Sequence, residues 1–211
     1  MKKLFPFLLL GFASLSMAGD ITVGKSSATT AAAESSLFDQ GRIELQSATG
    51  AYFSFGSGSG DHSPDISYSL STYRLGYMLN SPSGDAWWRG NTELIVEGFF
   101  GSVFEGPGDF LGGANLALRY NFVPAGSPWV PYVQAGAGGF FNDIHRDQKQ
   151  DLIGKAWELN LQGSVGVRYL LWEHWAVSLE GGYQRAVSPG SSSRNAGLDA
   201  IGAQIGLSRF F

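Results

Sequence analysis

Hydrophobic and polar positions alternate along most of the chain. In residues 175–187, Trp175, Val177, Leu179 and Tyr183 fall on one side while Ser178, Glu180 and Gln184 fall on the other. Residues 198–211 repeat the pattern, with Ile201, Ala203, Ile205, Leu207 and Phe211 set against Gln204 and Ser208. A period of two marks a strand with one apolar and one wet face. Six further segments read as strands: residues 43–55, 66–79, 88–103, 112–123, 130–141 and 157–171. The sixth strand is the cleanest. There Trp157, Leu159, Leu161, Val165, Val167, Tyr169 and Leu171 alternate with Glu158, Asn160, Gln162, Ser164 and Arg168, a pattern no helix could present. The third is blurred, because Ile95 and Phe99 share a face with Glu93 and Glu97. Each segment exceeds the roughly 9–11 residues with which a tilted strand crosses a bilayer.

The connections alternate in length. Turns at 80–85, 124–128 and 172–174 are short, the first two rich in Asn, Ser, Pro and Gly, whereas 56–64, 142–156 and 186–197 are longer and only 105–110 is brief on that side. Short turns at one end and longer loops at the other, with an even strand count, predict an all-β fold: an eight-stranded antiparallel up-and-down transmembrane β-barrel with both termini in the periplasm. The chain ends in Phe211 on an amphipathic strand, and no segment beyond the N-terminal leader is apolar for long enough to span as a helix.

Alternation alone does not say which face is inside. A soluble lipocalin-like barrel turns its apolar face inward, and a membrane barrel turns it to lipid. Charged residues make up 15% of the chain, against about 25% in soluble domains. Aromatics near the strand ends (Trp88, Tyr120, Trp157, Tyr169, Trp175) suit membrane interfaces. The expected location is therefore the bacterial outer membrane, with the protein embedded in lipid. The polar faces then place Glu44, Arg74, Glu93, Glu97, Arg119, Arg168 and Glu180 in a lumen too narrow for a channel, as an ion-pair network. Arg209 shares the apolar face of the last strand and is expected at the periplasmic rim, where an outward arginine costs little.

The ends of the chain add context. Residues 1–18 read as a signal peptide, with Lys2 and Lys3, an apolar run and Ser16-Met17-Ala18 as a cleavage site. Residues 19–41 read as a flexible N-terminal segment, and residues 42–211 as the barrel. Gly19 to Ser26 matches the phosphate-loop pattern, but it lacks the preceding buried strand and cytoplasmic setting that such a loop needs. A net charge of −4 with scattered basic residues excludes a nucleic-acid partner. No cysteine is present, and the Asp143 to Asp151 loop lacks metal-loop spacing, so neither a cofactor nor a metal is implied; the loop reads as a charged cap over the barrel mouth.

Three stretches, Pro131 to Gly138, Leu179 to Tyr183 and Arg194 to Gly202 before the aromatic end, resemble the lipid A 3-O-deacylase family of outer-membrane barrels, also called acyloxyacyl hydrolase-like. The resemblance implies a serine hydrolase site on the lipid-facing wall near the outer rim, acting on lipopolysaccharide, with outer-membrane lipid, lipid A in particular, as partner. Family members carry His-x-Ser-Asn after the aromatic of the seventh strand and an acidic residue on the last strand. Aligned without gaps, Arg185 stands at the histidine, Val187 at the serine and Ser188 at the asparagine, while Asp199 fits the acidic position. A shift of one residue keeps Ser188 as nucleophile and supplies no base. The candidate catalytic residues are thus Ser188 and Asp199, and the expected function is a catalytically degenerate, structural or lipid-binding barrel. Two alternatives stay open: an active deacylase with a base from elsewhere, and a small surface barrel whose loops bind a partner. The three histidines, His62, His145 and His174, read as solvated loop residues, and His145 beside Asp143 and Asp147 is the one worth testing as base or metal ligand.

Overall fold

The computed structural model describes residues 36–55, 64–172, 174–188, 190 and 196–211. Eight strands form: β1 Ile43–Ser54, β2 Ser67–Met78, β3 Gly90–Glu105, β4 Phe110–Phe122, β5 Trp129–Asn142, β6 Trp157–Trp172, β7 Trp175–Val187 and β8 Leu198–Phe210. Each pairs antiparallel with its neighbours in sequence, and β8 closes on β1. This is the expected all-β, eight-stranded up-and-down barrel, with bounds shifted by a residue or two at strand ends, where hydrogen bonding frays. The signal peptide, the phosphate-loop match, residues 19–35, most of the 56–64 loop, His62, and the Arg194-Asn195 pair lie outside the described residues.

Accessibility settles which face is inside. Ile205 is 67% exposed and Leu116 62%, whereas Glu93 is 1% exposed and Arg168 fully buried. A soluble barrel would reverse those values; this surface requires an apolar solvent. The blurred pattern of β3 also resolves, since Ile95 and Phe99 point inward with Glu93 and Glu97 while Leu94, Val96 and Phe100 point out.

Both ends of the lumen are plugged by apolar side chains. At the end carrying the chain terminus, Leu37 and Phe38 pack with Met78, Val123, Val130, Leu170, Ala176 and Phe210. The ring of Phe38 meets that of Phe210 edge-on at 5.2 Å, and its carbonyl accepts a hydrogen bond from Asn91 Nδ2 at 2.7 Å. Residues 36–41 are therefore not part of a flexible segment; two large apolar side chains leave water there. At the other end, Ile144, Leu152 and Ile153 from the long loop after β5 pack against Ile66, Leu111, Phe140 and Leu198. Gln150 folds that loop: its Oε1 accepts from the amides of Leu152 and Ile153, and its Nε2 donates to the carbonyls of Asp147 and Ile153. The expected charged cap is thus half right, with Arg146, Lys149 and Asp151 outward over an aliphatic underside.

The connection between β2 and β3 also departs from expectation. Ala86–Trp88 forms a single 3-10 turn, which delays β3 to Gly90. The Trp87 and Trp88 rings stack at 4.0 Å on the surface at this rim, and Tyr120 Oη donates to the Trp88 carbonyl at 2.7 Å. Arg209 points outward at the end of β8, its guanidinium over the rings of Trp175 and Phe211. It therefore faces neither the lumen nor the middle of the wall.

Candidate functional site

The lumen residues come together as two linked clusters. Arg74 donates from Nε to Glu97 Oε2 at 2.6 Å and from Nη1 and Nη2 to the two oxygens of Glu180 at 2.8 and 2.9 Å. Tyr132 Oη donates to Glu180 Oε2 at 2.8 Å, and Asn115 Nδ2 to Glu97 Oε1 at 2.8 Å. In the second cluster Arg168 Nη2 lies 2.6 Å from Glu44 Oε2 and 3.3 Å from Glu93 Oε2, and Arg119 Nη1 lies 3.4 Å from both. Gln46 Oε1 joins the clusters by accepting from Arg74 and Arg119, each at 3.0 Å. The Tyr132 ring is flanked by the Arg119 and Arg168 guanidinium groups, 4.5 and 4.9 Å from its centroid. All seven charged side chains expected in the lumen meet opposite charge there. Buried charges persist only when paired in this way. Among the described residues these seven side chains are at most 5% exposed, paired with one another inside the wall.

The candidate catalytic residues do not come together. Arg185 and Asp199 are directly opposed across β7 and β8, on the outward face near the loop end. Arg185 Nη1 lies 2.7 Å from Asp199 Oδ2, and Tyr183 Oη donates to Asp199 Oδ1. Val187 continues this face. Ser188 falls on the inner face, where it is buried and its Oγ donates to Glu158 Oε1 at 2.7 Å. The two residues therefore lie on opposite sides of one wall, as the period of two demands of positions on opposing faces. Glu158 and Tyr183 were missed as members of these clusters. Tyr183 was legible in principle, since it lies two residues before Arg185 on one face and diagonal to Asp199 across the strand pair.

His145 holds its own loop, with Nδ1 2.9 Å from the Asn142 carbonyl and its amide donating to Asn142 Oδ1 at 3.1 Å. His174 is exposed in the turn before β7, at the opposite end of the barrel from Arg185. Among the described residues no group of three or more His, Cys, Asp or Glu side chains could hold a metal ion.

A closed eight-stranded barrel with an apolar outer wall, aromatic rims and a charged, plugged lumen defines a class: a small membrane-embedded barrel of the bacterial outer membrane. Comparison with solved structures agrees. The Neisserial surface protein A structure superposes with a TM-score of 0.56 at 15% identity, over 81% of this chain and 97% of that one. The N-terminal barrel domain of Pseudomonas aeruginosa OprF gives 0.52 at 17% identity, over 82% and 98%. The outer membrane enzyme PagL superposes more loosely, at 0.49 and 18% identity, over 77% and 97%. No family model matches the chain, and no curated protein matches its sequence. At these identities the likeness establishes the fold and nothing finer.

Proposed function

We propose that this barrel is a catalytically degenerate relative of the lipid A 3-O-deacylases that engages outer-membrane lipid at its loop-side wall without cleaving it. The observation that carries this reading is the Arg185–Asp199 contact at 2.7 Å on the outward face. The gap-free alignment assigns those two positions to a histidine and the acid that orients it, which requires them to touch across β7 and β8, and they do. The chemistry at the contact is not hydrolytic. A guanidinium does not deprotonate in proteins and cannot take up a serine proton, and Val187 offers no nucleophile. Ser188 cannot substitute, because its hydroxyl is committed to Glu158 on the lumen side, away from any lipid ester. Arg185 keeps 38% of its side chain exposed, so its planar fork can still take an outside phosphate or carboxylate.

The test is mass spectrometry of lipid A from cells expressing the protein. The expected result is an unchanged acylation pattern together with lipopolysaccharide that copurifies with the wild type and is reduced in Arg185→Gln. Loss of one 3-linked acyl chain would overturn the reading in favour of an active deacylase.

A further inference from the structure

We propose that a trough on the outer wall, at the end of the barrel opposite Arg185, seats one anionic glycerophospholipid, with its phosphate on Arg209 and an acyl chain in the hollow over Ser47 and Gly98. The strand registers build the trough. One outward row runs Arg209, Leu45, Leu75, Val96 across β8, β1, β2 and β3, and the next runs Leu207, Ser47, Tyr73, Gly98. In the second row Ser47 and Gly98 stand where long side chains would otherwise continue the wall. The space above them is open: a Cβ added at Gly98 would meet no atom within 4 Å. The resulting hollow is open on its outer side and has a volume of about 650 Å³.

The head of the trough supplies the polarity that selects the ligand. Arg209 is an outward cation held over the Trp175 and Phe211 rings, and among the described residues no acid lies within ion-pair distance of it. Trp175 is its cross-strand neighbour on β7, and on the other side the row continues with the aliphatic Leu45, Leu75 and Val96. A cation at the membrane interface above an apolar hollow matches a phosphate attached to acyl chains. A net-anionic headgroup fits better than a zwitterionic one, whose own ammonium would compete for the phosphate. This site is independent of the wall around Arg185, and it stands or falls separately from the reading given above.

The test is native mass spectrometry of the purified protein in detergent, with dioleoyl phosphatidylglycerol or dioleoyl phosphatidylcholine added separately at equal concentration. The expected result is one retained phosphatidylglycerol per barrel, about fivefold more abundant than the phosphatidylcholine adduct, the factor that one cation supplies at an anionic interface. Arg209→Gln should bring the two lipids to equal retention. Gly98→Leu, which fills the hollow, should lower retention of both. Both side chains face outward, and circular dichroism should give wild-type strand content for both variants. Equal retention of the two lipids by the wild type, or undiminished preference in Arg209→Gln, overturns the assignment to Arg209. Unchanged retention in Gly98→Leu overturns the placement of the chain.

Discussion

At the scale of single residues, the outward pair Arg185 and Asp199 and the lumen arginine Arg74 make opposite demands on their surroundings. Arg185 and Val187 face lipid two positions apart on β7, with Asp199 across the strand pair. Arg185→His with Val187→Ser would put a base beside its orienting acid and a nucleophile on the same face, the logic of a serine triad. Ser188 is best left alone, because Asn there would break the bond to Glu158. The double variant is expected to remove one acyl chain from lipid A where the parent does not, read by mass spectrometry; intact lipid A beside an active deacylase control would mean that the gap-free alignment is wrong or that the surrounding site has decayed as well. In the lumen, Arg74→Met would leave Glu97 and Glu180 without their main cation. Breaking a buried pair from one side costs about 3–5 kcal/mol. Glu180→Gln should cost less, since Arg74 keeps Glu97 and Gln46. Urea unfolding of the two variants in lipid vesicles checks the order, and a less stable Glu180→Gln would show the ranking wrong.

At the scale of elements, the strands were legible and the plugs were not. A strand with one wet and one apolar face writes its own boundaries into the sequence, as β6 and β7 do, and the pairing of neighbours follows from the turns. The charged lumen was legible by the same alternation. Leu37 and Phe38 carry no such signal. They are two apolar residues at the end of a Ser- and Ala-rich stretch, and their burial depends on where the closed barrel leaves room. Gln150 is similar, since its four bonds exist only once the loop has folded over the mouth. The separation of Ser188 from Asp199 depended on a one-residue choice of register, which sends every side chain to the other wall. The lower plug makes a direct prediction. Phe38→Ala removes a fully buried ring that contacts Phe210, and changes of this kind cost about 3–5 kcal/mol. Asp39→Ala, at an exposed neighbour, should be within error of the wild type. Equal urea midpoints for the two variants would mean that the segment does not hold the barrel end.

At the scale of the whole molecule, the low charge content and the buried charge are one fact. The wall facing lipid cannot carry charge cheaply, so arginines and glutamates collect inside, where eight strands leave room for side chains and little else. From the terminal end inward, the lumen holds the aromatic and aliphatic plug around Phe38 and Phe210, then the Arg168–Glu44–Glu93 and Arg74–Glu97–Glu180 clusters, then the apolar cap of Phe99, Phe140, Ile144 and Leu152. An ion would have to displace two apolar plugs and break at least one buried charge network to cross. Reconstituted in planar bilayers, the protein is therefore expected to give no discrete conductance steps. Phe38→Ala should not create them, because the Arg168 guanidinium stands directly behind that ring, 5.8 Å from its centroid, with Glu44 and Glu93 bound to it. Unit conductance in the wild type would show that the plugs open in a bilayer. Conductance in Phe38→Ala alone would assign the barrier to the terminal plug and deny it to the charged layer behind.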